Sequence, residues 1–110
     1  MNTVNVRMAT PSDLRELAEL FDGYRQFYLQ APDLERARDF IEERLARNDS
    51  WILVAERGDS LVGFSQLYPS FSSTHTSRIA ILNDLFVAAP ARRSGVAAAL
   101  LLASQLRKSA

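Results

Sequence analysis

The segment NDLFVAAPARRSGVAAALLLAS, residues 83–104, constrains the fold of this chain more than any other. It begins inside an apolar run, RIAILNDLFV at 78–87, and passes through a short loop into a helix that is apolar nearly all round. Apolar side chains on both faces of a run indicate an interior strand, covered on both sides. A helix without a polar face is normally buried on more than one side. The segment therefore predicts a strand, a loop and a helix within an α/β domain.

The loop between strand and helix has the composition of an anion site. The first turn of a helix leaves N–H groups unpaired and carries roughly half a positive charge. Gly95 and Ala97 keep side chains away from those N–H groups, while Arg92 and Arg93 add permanent charge and Ser94 adds a hydroxyl. Such a junction suits a pyrophosphate. The alternative is an exposed loop whose arginines keep it soluble, followed by an ordinary core helix.

The first half of the chain reads as a strand followed by two helices. Residues 4–9, VNVRMA, alternate as a half-buried strand does. Thr10, Pro11 and Asp13 form a helix start, with Thr10 as N-cap and Asp13 as its capping-box partner. A second helix start follows at 31–36, APDLER. Both helices carry apolar residues at helical spacing, so each packs one face on a sheet.

The second half begins with a hairpin. WILVAE at 51–56 and LVGFSQLY at 61–68 read as strands joined by a tight turn, and a polar loop begins at Pro69. With the segment at 78–104, the predicted order is βααβββα. The fold class is α/β, an α+β arrangement with a mixed sheet, and residues 1–110 form one domain.

Composition excludes several classes of function. The 13 basic residues equal the 13 acidic ones, which argues against binding of nucleic acid through bulk positive charge. The chain has no cysteine, so disulfides and thiolate chemistry are excluded. Neither a signal-peptide pattern nor a membrane-length apolar run is present, so we expect a cytoplasmic protein that does not bind membranes. Residues 61–110 carry five basic side chains and one acidic one, which favours an anionic ligand there.

The segment ILNDLFVAAPARRSGVAAALL, residues 81–101, resembles the GCN5-related N-acetyltransferases, the GNAT family. It looks like that family's fourth strand, pyrophosphate loop and third helix. Residues 92–97 match the loop pattern Arg/Gln-x-x-Gly-x-Gly/Ala position by position, and VRMATPSD and LVGFSQLY stand where the family has its first and third strands. The resemblance implies a GNAT-like acyl-CoA N-acyltransferase fold. It also implies transfer of an acetyl group from acetyl-CoA to an amine by direct attack on the thioester.

The same resemblance implies a set of coenzyme A contacts. Backbone groups of Leu85, Phe86 and Val87 would pair with the pantetheine arm as an added strand does. The N–H groups of residues 93–97, which include Val96, would hold the pyrophosphate, and the two loop arginines would contribute charge.

Asp84 and Asn83 are the candidate catalytic residues, because they are the only polar residues in an otherwise apolar strand. Neighbouring strand residues point to opposite faces unless a bulge intervenes, and the family has a bulge in this strand. Asp84 would recognise or deprotonate a cationic amine, or else play a structural part such as capping a loop N–H. Asn83 would orient a water or a substrate carbonyl, or else be a buried, hydrogen-bonded amide.

Other candidates have plainer interpretations. Tyr24, Phe27 and Tyr28 stand where the family's first helices border the acceptor site, but an aromatic stripe favours a core role. His75, the single histidine, lies in a polar loop, and we expect it to be exposed and no metal to be bound.

Family members continue after the third helix with a strand, a fourth helix and two more strands, and these are missing from this chain. The fourth helix usually carries the tyrosine that protonates the departing thiolate, and none of Tyr24, Tyr28 and Tyr68 matches it. The apolar strand at 78–87 would then have one unpaired edge, and the helix after it would lack its C-terminal neighbours, which leaves exposed apolar surface. We expect pairing with a second copy, as in a homodimer, or with another polypeptide, unless the chain is a fragment.

Three functional classes follow from the sequence. The first is an acetyl-CoA-dependent N-acetyltransferase acting on a small-molecule amine or a protein amine. The second is a non-catalytic or truncated module of the same fold that binds coenzyme A or dimerises. The third, outside the family, is a small α/β domain whose glycine loop binds an ordinary phosphate or nothing.

Overall fold

The computed structural model describes residues 3–109, which form a four-stranded antiparallel sheet with helices on both faces. The strands lie in the order β1-β2-β3-β4. The predicted element order βααβββα is confirmed. The elements are β1 (Val4–Met8), α1 (Leu14–Phe27), α2 (Leu34–Arg47), β2 (Trp51–Arg57), β3 (Ser60–Ser72), β4 (Ser77–Val87) and α3 (Val96–Ser109).

Local capping starts the first two helices where the sequence predicts. The Thr10 N–H donates to Asp13 Oδ2 at 2.7 Å, ahead of α1. The carboxylate of Asp33 accepts from the Arg36 N–H at 3.0 Å, at the start of α2. Each bond satisfies an N–H group that a helix start leaves without an intrahelical partner.

The two faces of the sheet carry different cores. Helices α1 and α2 cover one face and α3 covers the other, because alternate residues of each strand point to opposite sides. The α1/α2 face is rich in aromatic side chains and buries Leu17, Ile41, Ile52, Val54 and Phe64. The α3 face is aliphatic and buries Leu53, Ala55, Leu67, Val96 and Leu100.

Strand β4 lies at the edge of the sheet in residues 3–109, as predicted, but its exposed side chains show that the prediction of a strand covered on both sides is wrong for this part of the chain. Ile81 is 45% exposed, and Ile79 is exposed beside it. Helix α3 also exposes leucines on its outer side, including Leu106 at 66%. An apolar pattern reports that a surface is suited to burial, but only the tertiary arrangement decides what covers it. The predicted exposed apolar surface is confirmed.

Strand β3 continues past Pro69 to Ser72, so the prediction that a loop begins at Pro69 is wrong. Pro69 lies opposite Ala80 of β4 and beyond Leu67, the last residue of β3 opposite β2. Proline is tolerated where one side of a strand has no partner to receive its missing N–H. The actual turn to β4 spans residues 73–76.

Candidate functional site

The loop before α3 has the backbone conformation of an anion-binding concavity. Arg93 has a φ of 63° and Gly95 a φ of 86°, whereas Ser94 between them is not in the left-handed region. Alternation of left- and right-handed residues turns successive N–H groups toward one point. A non-glycine residue in the left-handed region is uncommon, so the Arg93 conformation marks this loop as specialised.

This loop and the first turn of α3 border an open cavity. The first bond of the helical type runs from the Ala99 N–H to the Gly95 carbonyl at 3.0 Å. Within residues 3–109, no side chain is seen to cap the N–H groups of residues 93–97. A Cβ built on Gly95 would meet no atom within 4 Å, and a cavity of about 290 Å³ borders the loop and Ala97. Gly95 is therefore needed for its positive φ more than for a close approach.

Ser94 braces the loop from inside. Its hydroxyl donates to the Ala91 carbonyl and accepts a bond from Arg57 Nη2 at 2.9 Å. The hydroxyl proton is thus used within the loop, and Arg57, from the end of β2, brings a third cation to it. The sequence analysis missed Arg57, since nothing in a strand end 37 residues from Ser94 signals this contact.

The two loop arginines have different surroundings. Arg92 Nε donates to the Val87 carbonyl at 2.9 Å, and its guanidinium lies over the rings of Phe86 and Phe27 at 5.4 and 5.7 Å from their centres. Arg92 thereby ties the loop to the end of β4 and to the end of α1. Arg93 is exposed beside the cavity and is the cation better placed to meet a diffusing anion.

The open edge of β4 presents main-chain groups from two of the three residues expected to meet pantetheine. The Ala88 N–H donates to the Val62 carbonyl at 2.9 Å, which makes these two a hydrogen-bonded pair. Such pairs alternate along an antiparallel ladder, so the main-chain groups of Phe86 face β3, while those of Leu85 and Val87 face outward. Of the three residues expected to pair with pantetheine, only Leu85 and Val87 therefore have main-chain groups that face outward. The Val87 carbonyl already accepts a hydrogen bond from Arg92.

A β-bulge brings Asn83 and Asp84 of β4 to one face. Gln66 lies opposite Asp84 whereas Leu67 lies opposite Leu82, so Asn83 is the extra residue. The predicted bulge is confirmed. Asn83 Nδ2 donates to Asp84 Oδ1 at 3.0 Å, which shows that the two side chains share one side of the strand.

Asp84 is 6% exposed and belongs to a chain of buried hydrogen bonds on the α1/α2 face. Its Oδ2 accepts from Gln66 Nε2 at 3.1 Å, and Gln66 Oε1 accepts from the Ser50 hydroxyl at 2.9 Å. The sequence analysis missed Gln66. The signal was available, because Gln66 is a polar residue in an apolar strand, as Asp84 is.

Two tyrosines share the surroundings of Asp84. Burial raises the pKa of Tyr24 far above its usual range, and the hydrogen bond and charge of Asp84 raise it further. Burial, followed by the charge of Asp84, also raises the pKa of Tyr68. Both phenols therefore remain protonated at neutral pH. The result is a carboxylate enclosed by amide and hydroxyl donors, an arrangement that can attract a cation or accept a proton.

The aromatic residues of α1 divide into two groups. Tyr24 is half-buried, with its ring centre 5.7 Å from that of Phe64 and 6.0 Å from that of Phe86. Phe27 and Tyr28, at the end of the helix, are 62% and 61% exposed, so the interpretation of these two as core residues is wrong. Helical spacing predicted one face for the stripe, but the helix ends where the sheet no longer covers it.

The remaining candidate residues play no visible part in this site. His75 is exposed in the turn at 73–76, as predicted. The described residues contain no group of three or more histidine, aspartate or glutamate side chains that could hold a metal ion. No helix within residues 3–109 combines the length and the apolar character needed to cross a membrane.

Comparison with known proteins identifies the class to which this fold and loop belong. The model of the acetyltransferase (GNAT) family matches residues 14–105, which include both faces of the sheet, Asp84 and the loop. The chain belongs to the GNAT family of acetyltransferases.

Individual relatives agree with this assignment. The chain is 48% identical over 102 residues to the uncharacterized N-acetyltransferase YhfO of Bacillus subtilis (strain 168), covering 93% of this chain and 68% of that protein. It is 34% identical over 90 residues to a probable acetyltransferase of Haemophilus influenzae (strain ATCC 51907 / DSM 11121 / KW20 / Rd), covering 81% and 62%. The crystal structure of a probable acetyltransferase superposes with a TM-score of 0.88 at 45% identity, covering 94% and 70%. The chain thus spans about two thirds of the length of these relatives.

Proposed function

We propose that this chain is an acetyl-CoA-dependent N-acetyltransferase that acetylates a primary amine. The observation that carries the proposal is the loop at 93–97, whose left-handed residues Arg93 and Gly95 lie beside an open cavity at the start of α3. Asp84 lies three residues before the end of the adjoining strand, which is about 10 Å at the usual rise per residue. An anion cradle and a buried carboxylate therefore flank one strand edge.

The donor would be held by groups of three kinds. The N–H groups of residues 93–97 and the positive end of α3 would hold the pyrophosphate of acetyl-CoA, with charge from Arg93 and Arg57. The outward main-chain groups of Leu85 and the N–H of Val87 would pair with the amides of the pantetheine arm. The reactive thioester would then lie near Asp84.

Asp84 would act on the acceptor amine, whether that amine is carried by a small molecule or by a protein. Its carboxylate would attract the ammonium form and accept a proton from it, leaving a neutral nucleophile. The amine nitrogen then bonds to the thioester carbonyl carbon and the carbon–sulfur bond breaks. The products are an N-acetyl amine and coenzyme A thiol, with one proton released overall. Outward N–H groups of β4 would stabilise the oxyanion.

Calorimetric titration with acetyl-CoA tests the donor site. We expect Arg93→Ala to weaken binding about tenfold or more, because it removes a charge-assisted contact. Arg92→Ala should weaken binding indirectly, through the loss of its bond to Val87. His75→Ala, in the distant exposed turn, is the control and should bind as the parent chain does. Unchanged affinity in the variant that lacks both loop arginines would refute the pyrophosphate assignment.

A second candidate function is a non-catalytic module that binds coenzyme A or dimerises. It is favoured by the exposed apolar residues Ile79, Ile81 and Leu106. The partner we propose is a second copy of the chain, since two identical edge strands can pair antiparallel about a two-fold axis and Arg78 is the only charge in residues 77–83. Release of thiol with a panel of amines would separate the enzyme from the module. Sedimentation as a monomer at high concentration would contradict the dimer.

The proposed location is the cytoplasm, which rests on the sequence pattern alone.

A further inference from the structure

We propose that Gln66 is a positioning residue that fixes the carboxylate of Asp84 in one orientation, aimed at the acceptor. This inference rests on the proposed function of Asp84. It is carried by the buried hydrogen-bond chain from Ser50 through Gln66 to Asp84.

The structure leaves Gln66 one orientation. Its side chain is fully buried, and it lies directly opposite Asp84 on the neighbouring strand. With Asp84 ionised, Gln66 donates from Nε2 to the Asp84 carboxylate and accepts at Oε1 from the Ser50 hydroxyl. A flipped amide would place two oxygens against each other at Asp84. Gln66 is therefore a fixed donor to that carboxylate.

The donors around Asp84 reach both of its carboxylate oxygens. Gln66 donates to one carboxylate oxygen and Asn83 to the other, and neither amide can take up a proton in exchange. Tyr24 from α1 and Tyr68 from β3 are the titratable groups whose surroundings include Asp84. The charge of Arg44 lowers the pKa of Tyr68, and the charge of Asp49 raises it. A hydrogen bond to the charged form of an acid stabilises that form.

Burying a polar side chain costs free energy, so the presence of Gln66 in the protein interior needs an explanation. The other buried polar pair, Ser65 and Ser104, joins β3 to α3 by a hydroxyl bond of 2.8 Å and involves no charge. The Gln66 chain instead ends on a carboxylate at the bulge of β4. Because the bulge leaves Asn83 and Asp84 on one side, Gln66 fixes one carboxylate oxygen from across the strand pair.

The experiment compares the pH dependence of kcat/KM in the parent chain and four variants. Gln66→Met keeps the volume and removes the donor, while Gln66→Glu keeps the shape and adds a second acid. Ser50→Ala removes only the outer bond. Ser104→Ala is the matched control, since it removes a buried hydroxyl on the other face. Circular dichroism verifies that each variant is folded, and the second Gln66 variant serves if the first is not.

We expect Gln66→Met to move the acid limb of kcat/KM to higher pH by about one to two units, the shift expected for one lost hydrogen bond to a charged group. Gln66→Glu should move it further, because two neighbouring carboxyls share a proton. Ser50→Ala should give a smaller shift in the same direction, and Ser104→Ala none. Folded Gln66 variants that retain the parent profile would overturn the proposal.

A readout without catalysis separates this proposal from the role of Asp84 in the reaction. The side-chain NH₂ signal of Gln66 in a nitrogen–proton NMR spectrum is assigned by its loss in Gln66→Met. We expect this signal to change with pH in the parent chain and to lose that dependence in Asp84→Asn. If the pH dependence is lost while Asp84→Asn retains full activity, the proposed function of Asp84 is wrong, but the positioning of its carboxylate by Gln66 is supported. If the pH dependence of the signal is the same in Asp84→Asn as in the parent chain, the proposal that Gln66 positions the Asp84 carboxylate is overturned.

Discussion

Each face of the sheet buries one cluster of hydrophobic residues, but the two faces differ in chemistry. The α3 face is aliphatic, and its buried polar contact is the neutral pair Ser65 and Ser104. The α1/α2 face is aromatic and carries the buried chain from Ser50 through Gln66 to Asp84. The aliphatic face sets where α3 begins, and thus where the anion loop lies, while the aromatic face carries the charged group. In the proposed function, positioning and chemistry would thereby be divided between opposite faces of the sheet.

The largest expected effect comes from removing the charge on the aromatic face. Asp84→Asn keeps the shape and the neighbouring polar groups but cannot accept a proton. If Asp84 is the general base, kcat/KM should fall about 100- to 10,000-fold, while acetyl-CoA affinity stays within a few-fold. Steady-state kinetics with calorimetry on the same preparation measures both. A parallel loss of affinity would mean that the two faces are not separate in function.

Gly63 tests the aliphatic face. A Cβ there would lie 2.9 Å from the Phe86 carbonyl and 3.1 and 3.3 Å from Leu100 and Val96 of α3. Gly63→Ala should therefore push α3 away and lower the free energy of unfolding by about 1 to 3 kcal/mol. It should also weaken acetyl-CoA binding, because the start of α3 moves. Gly58→Ala, in the open hairpin turn, is the comparison, and equal binding losses in the two variants would contradict this explanation.

The stability of the fold should depend on pH through an ion pair that belongs to neither core of the sheet. The Arg7 guanidinium, 2.8 Å from Asp13, holds the pKa of that carboxyl below its usual value of 3.8. A lowered pKa in the folded chain means that the stabilisation is present above about pH 4 and is lost as the pH falls through the folded value. Asp13→Asn should cost about 1 kcal/mol at pH 7, since Arg7 is partly solvated, and should flatten the acid loss of stability.

This variant also sharpens the comparison of the faces. The acid limb of kcat/KM should remain where it is in Asp13→Asn, because the limb is assigned to the aromatic face. Urea unfolding between pH 3 and 7 checks the stability, and the kinetic profile checks the limb. If the acid loss of stability and the acid limb of kcat/KM shift together in Asp13→Asn, the limb reports unfolding and not the titration of a catalytic group.

The last prediction concerns the neutral pair on the aliphatic face. Ser104→Ala leaves the buried Ser65 hydroxyl without its partner and should cost about 1 to 2 kcal/mol. Replacing both serines by alanine should cost less than the single change, because no polar group is then left unpaired. Denaturant midpoints of the single and double variants test this. A double variant much weaker than the single one would show that this polar pair is more than structural.

Local chemistry accounts for what the sequence predicted well. Thr10 and Asp33 start helices through bonds to residues three positions away, so their pattern is complete within a few residues. The loop at 92–97 is likewise a short pattern whose backbone needs glycine at one position. Gln66 was missed although the rule that identified Asp84 applied to it equally. The error lay in applying the rule to one strand and not to its neighbour.

Long-range pairing accounts for what the sequence predicted badly. Pro69 reads as a strand end, yet the strand continues because only β4 pairs with it there. Arg57 reaches Ser94 across 37 residues, and no pattern joins them. Phe27 and Tyr28 follow the stripe of Tyr24, but the sheet no longer covers them.

The sequence by itself determined the element order, the helix starts and the glycine loop, because each depends on dihedral preferences and hydrogen bonds within a few residues. The tertiary structure alone decided that β3 continues past Pro69, that Arg57 meets Ser94, and that Gln66 meets the carboxylate of Asp84. These features depend on which strands pair and in what register. Register is set by the packing of whole faces, which no short stretch of sequence contains.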